Sequence, residues 1–181
     1  MKKSLIAAIV LAGASFGSTA VQAQVIGESP QALDLVDDTA AFFGDSLGEG
    51  NSGSTFADRF TFTIDGTVGI NVDAIVASVS RSPDVGLDIT GLWLFDGSDN
   101  LISQGTSLQS GAVDVWTVAG GNLSAGDYYL RVNGNMVSND AASFGGAIML
   151  APVPEPETYG MMLGGLGVLG FLARRRKAKR G

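Results

Sequence analysis

The chain of 181 residues contains no cysteine and no histidine, and these two absences exclude several kinds of chemistry. Without cysteine there is no disulfide framework and no thiolate metal site. Without histidine the commonest general base and the commonest metal ligand are both missing. Zinc chemistry is therefore not expected.

Positive charge is scarce in the long central part of the chain, which has no lysine. Between Glu28 and Glu157 there are eighteen acidic residues and three arginines, a net charge of −15. Such a surface repels nucleic acid, so no nucleic-acid partner is expected. Serine and threonine are plentiful, but neither histidine nor lysine is there to activate them, and no hydrolase, P-loop or dinucleotide fingerprint occurs. The sequence predicts a protein that is not an enzyme.

The first 23 residues have the three-part order of a secretory signal peptide. Lys2 and Lys3 form a positive start, an apolar run follows, and small residues end the segment. We expect signal peptidase to cleave between Ala23 and Gln24, after an N-terminal signal helix. The alternative is an amphipathic N-terminal helix that is retained.

Residues 152–181 form a second appendage, and it also has three parts. Residues 152–157 are extended and exposed because prolines withhold backbone donors; the motif is Val153, Pro154, Glu155, Pro156 and Glu157. Residues 158–173 carry no charge, and as a helix they would span about 24 Å. Since a hydrocarbon core is about 30 Å thick, local thinning of the bilayer is needed for a single transmembrane helix there.

Residues 174–181 are the basic end of this appendage. The stop-transfer cluster consists of Arg174, Arg175, Arg176 and Lys177. By the positive-inside rule these residues stay in the cytoplasm, which places residues 24–157 beyond the inner membrane.

The whole tail resembles the PEP-CTERM sorting domain of Gram-negative bacteria, in which Pro-Glu-Pro, a glycine-rich apolar segment and terminal arginines follow in this order. The resemblance implies that an exosortase, a membrane cysteine protease, recognises the tail and cuts near residues 153–157. The alternative is a plain membrane anchor that is never processed.

The middle of the chain divides into an acidic leader, residues 24–55, and a β-rich domain, residues 56–151. In the domain, apolar and polar residues alternate over 60–64 and again over 68–72, and the Asp65-Gly66 turn between them predicts a hairpin. Seven or eight such short strands predict an antiparallel, jelly-roll-like β-sandwich. The predicted core consists of Phe60, Phe62, Ile70, Leu92, Leu94, Val115, Tyr128 and Leu130.

This central domain resembles bacterial pre-peptidase C-terminal domains, which are small exported β-sandwiches. The resemblance depends on the segments FADRFTF at 56–62, LWLFD at 92–96 and LSAGDYYLRV at 123–132. Phe56, Asp58 and Phe60 also resemble the FxDxF signature of one group of PEP-CTERM proteins. Neither resemblance brings a catalytic motif.

Asp58 is the most unusual residue of the domain because an extended strand places it on one face with two phenylalanines. We expect its carboxylate to accept backbone N–H groups where the strand enters the sandwich, since a carboxylate on an apolar face must be paired. The alternative is a calcium ligand. Asp96 and Asp99, in an oxygen-rich turn, are further calcium candidates.

Two more acidic groups, Asp34 with Asp37 and Asp38 and Asp84 with Asp88, suit calcium in the same way. None has EF-hand spacing, and turns explain these residues without a metal. We therefore expect no cofactor, with calcium as the alternative.

These features predict a non-enzymatic exported surface or extracellular-matrix protein that an exosortase sorts. The family resemblance implies a setting of exopolysaccharide or biofilm. The alternative is a glycan- or protein-binding sandwich that calcium stabilises. A flat, exposed row of Trp93, Trp116 or Tyr129 would favour glycan binding, and their burial would favour a structural role.

Overall fold

The computed structural model describes residues 24–27, 30–153 and 156–178. The predicted signal peptide with Ala23, the motif residues Pro154 and Glu155, and residues 179–181 lie outside the described residues. Eleven β-strands and one helix make up the described chain. The strands are β1 Val25–Ile26, β2 Gln31–Ala32, β3 Ala40–Leu47, β4 Thr55–Ile64, β5 Ile70–Val79, β6 Leu87–Asp96, β7 Leu101–Gln104, β8 Thr106–Gln109, β9 Val113–Leu123, β10 Gly126–Met136 and β11 Ala142–Pro152, and the helix is α1 Pro156–Ala178.

The strands form two sheets that pack face to face. Sheet A has the order β1-β4-β10-β6-β7, with β2 also paired to β4, and sheet B has the order β3-β11-β5-β9-β8. The short contacts of β1 and β2 with β4 are parallel, and the other strand pairings are antiparallel. Strands β3 to β6 alternate between the two sheets, as do β9 to β11, which is jelly-roll connectivity. The predicted antiparallel sandwich is confirmed.

The sandwich begins earlier in the chain than Phe56, because the acidic leader contributes strands to both sheets. β3 forms an edge of sheet B and places Ala41, Phe43 and Leu47 in the core. The abundant aspartate, glycine and serine of the leader hide this alternation of apolar residues.

The predicted hairpin around Asp65-Gly66 is wrong. β4 lies in sheet A and β5 lies in sheet B, so the turn carries the chain from one sheet to the other. Both strands have one apolar face, and crossing between the sheets lets the two faces meet in one core.

The core lies between the sheets and contains most of the predicted residues. Phe60, Phe62, Leu92, Leu94, Tyr128 and Leu130 are buried, and Ile70 is partly buried against them. Val115 is not in the core, and its assignment was wrong. Its neighbours Asp114 and Trp116 face inward instead, because Asp114 makes buried hydrogen bonds that fix the register of β9.

Candidate functional site

The predicted sorting segment lies at the junction between the sandwich and the C-terminal helix. β11 ends at Pro152, and the backbone N–H of Val153 donates a 2.8 Å hydrogen bond to the carbonyl of Gly69. α1 begins at Pro156, so residues 153–155 alone separate the sandwich from the helix. Glu157 is exposed in the first turn of α1, where the helix dipole favours a negative charge.

α1 extends over all of the predicted apolar segment 158–173 and into the basic end. The large apolar side chains whose exposure the structure describes are open to solvent, with Met161 80% and Phe171 65% exposed. Arg174, Arg175, Arg176 and Lys177 occupy its last turns, where the helix dipole favours positive charge. In the part of the chain that the structure describes, no helix has both the length and the apolarity needed to span a membrane.

Gln24, the predicted first residue after signal cleavage, immediately precedes β1. It is exposed, and its carbonyl accepts a 3.0 Å hydrogen bond from the N–H of Thr55. A cut before Gln24 would therefore leave the strands of the sandwich intact.

Asp58 lies on the core side of β4 between Phe56 and Phe60 and is 1% exposed. Neither of its carboxylate oxygens receives a hydrogen bond within the described residues. The expectation that backbone N–H groups satisfy this side chain is therefore wrong for the described chain. An ionised carboxylate without donors is costly in such surroundings, so the protonated form is favoured.

The carboxyl group of Asp45, on β3 of the opposite sheet, strengthens this preference. Burial is the main cause that raises the pKa of Asp58, and the negative charge of Asp45 raises it further. The third cause is the hydrogen bond that a protonated Asp58 can donate to Asp45, since the oxygens of Asp58 accept none within the described residues. The pKa of Asp58 rises to about 7.

Gly27 closes one side of the space around the Asp58 carboxyl group. Its φ of 110° lies where residues with a side chain rarely occur. A methyl group added to Gly27 would collide with Oδ1 of Asp58. Both the backbone conformation and the close approach therefore require glycine here.

Asp114 is a second buried aspartate, and both oxygens of its carboxylate accept hydrogen bonds. Its Oδ2 accepts from the Ser78 hydroxyl at 3.0 Å and from the Ile89 N–H at 3.1 Å, and its Oδ1 accepts from the Gly111 N–H at 3.1 Å. Ser78 belongs to sheet B and Ile89 to sheet A. Asp114 therefore joins the two sheets, which is a structural role.

The carboxylates of the calcium candidates Asp96 and Asp99 accept hydrogen bonds from nearby protein groups. Asp96 Oδ1 accepts from the N–H groups of Ser98 and Asn100, and its Oδ2 accepts from the Asn100 amide, each at 2.9 Å. The hydrogen bonds from Asn100 are the main cause of the lowered pKa of Asp96. Among the described residues no group of three or more potential metal-binding side chains is placed to hold an ion. The structure does not bring Asp58 together with this turn, because Asp58 faces the core.

Aromatic rings and arginines alternate on the outer face of sheet A. The Arg131 guanidinium carbon lies 5.2 Å from the ring centre of Trp93 and 4.7 Å from that of Phe95. Phe95 stacks on Tyr129 with ring centres 5.0 Å apart, and the Arg59 guanidinium carbon lies 4.7 Å above Tyr129. Each arginine therefore covers apolar surface that would otherwise face water.

The Tyr129 hydroxyl and Arg59 meet at Asp99. Oδ1 of Asp99 accepts from the hydroxyl at 2.7 Å and from Arg59 at 3.3 Å. Burial is the main cause that raises the pKa of Tyr129, and the hydrogen bond to Asp99 adds to it. Tyr129 is 5% exposed, so its ring is not an open platform for a ligand.

Sequence reasoning missed Asp45, Asp114 and Arg131. The signal for Asp114 was present, because an aspartate in an apolar strand that can face inward is the pattern that singled out Asp58. Arg131 stands opposite Trp93 in the pairing of β10 with β6. Recognising Asp45 and Arg131 requires knowing which strands are neighbours, and a single sequence does not give this.

Comparisons with known proteins identify the tail. The PEP-CTERM protein-sorting motif matches residues 152–177, which confirms the resemblance of the tail. The pre-peptidase C-terminal domain of collagenase from Bacillus anthracis is similar over 70% of this chain and 94% of that chain, with 19% identity and a TM-score of 0.36. No curated protein matches the chain. The PEP-CTERM motif implies an exported protein with a membrane-anchored precursor that an exosortase processes.

Proposed function

We propose that the protein is a non-enzymatic component of the cell surface or extracellular matrix that an exosortase-type enzyme cuts from a membrane-anchored precursor. One observation supports this above all: the PEP-CTERM motif starts at the last residue of β11, and residues 153–155 link the sandwich to α1. A protease can therefore reach the link without unfolding a strand. The mature chain ends within residues 153–157.

In this proposal α1 holds the precursor in the inner membrane, with residues 174–181 in the cytoplasm. Arginines at the end of the helix oppose its withdrawal, because moving a charged side chain into hydrocarbon is costly. The short apolar stretch is accommodated by local thinning of the bilayer and by arginine side chains that reach its surface. The sandwich then lies on the far side of the membrane.

Glu155 and the two prolines beside it are the recognition element for the processing enzyme. Prolines lack a backbone N–H donor, and a residue that precedes a proline disfavours the helical conformation, so the link between β11 and α1 suits binding by a protease in an extended form. Glu155 supplies a negative charge that a basic pocket can bind through charge-assisted hydrogen bonds.

A non-enzymatic role is supported by the chemistry of the sandwich. It has no histidine, cysteine or lysine to act as base or nucleophile. The buried Asp114 is occupied by three hydrogen bonds to the protein itself.

The state of the aromatic residues favours a structural role over glycan binding. Tyr129 is covered by Phe95 and Arg59, and Trp93 is half-buried beside Arg131. Trp116 is also half-buried and donates a 3.0 Å hydrogen bond from Nε1 to the carbonyl of Ile89. These three rings do not form an open row for a sugar chain.

We place the mature protein in a polysaccharide matrix or biofilm, following the family to which the tail is similar. Digestion of the extracellular polysaccharide of the host should release the protein from the matrix. Equal retention before and after digestion would contradict this setting.

Replacing Pro154, Glu155 and Pro156 together with alanine tests the processing step. The variant should accumulate at full length in the inner membrane with a protease-resistant sandwich. A matched control replaces Ser107, Leu108 and Gln109 of the exposed strand β8 with alanine, and it should be processed normally. Normal processing of the Pro-Glu-Pro variant would contradict the assignment of this segment.

A further inference from the structure

The outer face of sheet B, meaning the solvent-facing alternate residues of β3, β11, β5 and β9, is open and almost uncharged. Phe42 is 89% exposed, Met149 64% and Ile75 45%. Asp73 is the one charged residue at these outward positions of the described strands. This composition contrasts with the charge of −15 between Glu28 and Glu157. A face that is poor in charge and exposes large apolar side chains on an acidic protein marks an interaction surface.

Strand register divides this face into parallel rows. One row contains Phe42, Ala147 and Ile75, which lie side by side on β3, β11 and β5. The adjacent row, two residues away along each strand, contains Gly44, Gly145 and Ala77. The rows are about 7 Å apart. On these three strands a ridge that carries two large side chains therefore runs beside a groove made of glycine and alanine, and on β9 Thr117 continues the ridge row and Val115 the groove row.

We propose that this face binds the same face of a second copy of the chain. A two-fold axis that lies in the interface, perpendicular to the strands and between the two rows, places each ridge over the opposite groove. Phe42 then meets Gly44 of the second copy, and Ile75 meets Ala77 of the second copy. The contact is isologous and closed, so it gives a dimer rather than a filament.

The same axis separates the charges of the two copies. Asp73 lies beyond Ile75 on β5, three residues from the axis. The two Asp73 carboxylates then lie on opposite sides of the axis, about 20 Å apart along the strands. Contact through another part of this acidic surface would bring like charges together.

The size of the face suits a specific dimer. Four strands about 4.8 Å apart and about 30 Å long give roughly 600 Å² per copy. The total of about 1,200 Å² is at the lower end of specific interfaces. Aligned sheets of this kind pack about 10 Å apart, as they do inside a β-sandwich.

The absence of cysteine permits a direct test with the full-length chain in its host. Ala77→Cys places a single thiol beside the proposed axis. The matched control, Ala57→Cys, places one at an exposed outward position of β4 in sheet A. A thiol crosslinker of about 10 Å, the spacing of packed sheets, is added to intact cells and to the released fraction. Ala77→Cys should give at least five times more dimer than Ala57→Cys.

A second substitution tests whether a crosslinked dimer depends on the ridge residue Phe42. Phe42→Asp added to Ala77→Cys should abolish the crosslink without affecting folding, because Phe42 is 89% exposed. Protease resistance establishes that each variant is folded. The proposal is overturned if Ala77→Cys crosslinks no more than Ala57→Cys, or if Phe42→Asp leaves the dimer unchanged. A crosslink to a different protein, or protection of the Ala77→Cys thiol without a dimer, also overturns it.

Discussion

Asp58 on β4 in sheet A is coupled to Asp45 on β3 in sheet B, because the negative charge of Asp45 raises the pKa of the buried Asp58 carboxyl group. The protonated form of Asp58 is favoured, because the carboxyl group is buried and its oxygens accept no hydrogen bond within the described chain. The folded state therefore holds a proton on Asp58 more tightly than the unfolded state does.

This pair predicts that stability falls as pH rises. The pKa of Asp58 is raised to about 7 in the folded protein, against an ordinary value of 3.8. The contribution of protonated Asp58 to the free energy of unfolding is complete below about pH 4 and is lost as pH rises through about 7. The loss between pH 4 and pH 8 should be up to about 4 kcal/mol, because a tenfold change in acidity corresponds to about 1.4 kcal/mol. Urea unfolding at a series of pH values measures it.

Asp58→Asn is the matched control, because asparagine imitates the protonated carboxyl group. The difference in unfolding free energy between variant and wild type removes the contribution of the other acids. Above about pH 5 the unfolding free energy of Asp58→Asn should increase steadily relative to that of the wild type. An equal pH dependence for both proteins would contradict the assignment of the proton to Asp58.

The same two proteins test the expectation that no cofactor binds at Asp58. Millimolar calcium at pH 8 should change the unfolding free energy of the wild type and of Asp58→Asn by the same amount. Stabilisation of the wild type alone would identify Asp58 as a calcium ligand.

A comparison of two phenylalanines tests the position of the core. Phe62 is 4% exposed and stacks on Tyr128, whereas Phe42 is 89% exposed. Phe62→Ala should cost about 3–5 kcal/mol of unfolding free energy, and Phe42→Ala should cost less than about 0.5 kcal/mol. Similar losses for the two variants would show that the strand register is wrong.

The place of Arg131 between two aromatic rings predicts that lysine cannot replace it. The planar guanidinium group of Arg131 lies over the rings of both Trp93 and Phe95, and a compact ammonium group would cover less of the two rings. Arg131→Lys should cost about 1–2 kcal/mol and alter the tryptophan fluorescence. The control Arg81→Lys changes a side chain that is 87% exposed and should have little effect. Equal effects of the two substitutions would rule out a stabilising stack.

The topology of the precursor is a further prediction. A reporter fused after Gly181 should be cytoplasmic, and a reporter inserted at Gly53 should be exported. Gly53 lies in an exposed turn before β4, and a Cβ added there would meet open space, so an insertion should be tolerated. A cytoplasmic location for the Gly53 reporter would contradict export.

The sequence predicted the architecture of the sandwich because each long strand buries one apolar face, which leaves a clear alternation of residues. It did not predict which strands pair. The Asp65-Gly66 turn is the same in a hairpin and in a crossover between sheets, and only the packing of β4 against β10 and of β5 against β11 distinguishes them. Val115 was misassigned for a related reason, since the hydrogen bonds of Asp114 decide the register of β9.

The sorting tail was easier to predict because its parts are contiguous in the chain. By contrast, Asp45 and Asp58 are thirteen residues apart and meet because β3 and β4 lie in opposite sheets. The physical rule that a buried carboxylate needs a partner drew attention to Asp58. The partner itself depends on the fold, and so does the raised pKa.

Mass spectrometry of the protein isolated from its own host tests the central claim most directly, because it reads both ends of the mature chain. We predict a first residue of Gln24, a last residue within 153–157 and the absence of residues 174–181. Protein that consistently retains residues 174–181 would show that the tail is only an anchor, and the proposal of exosortase processing would then be wrong.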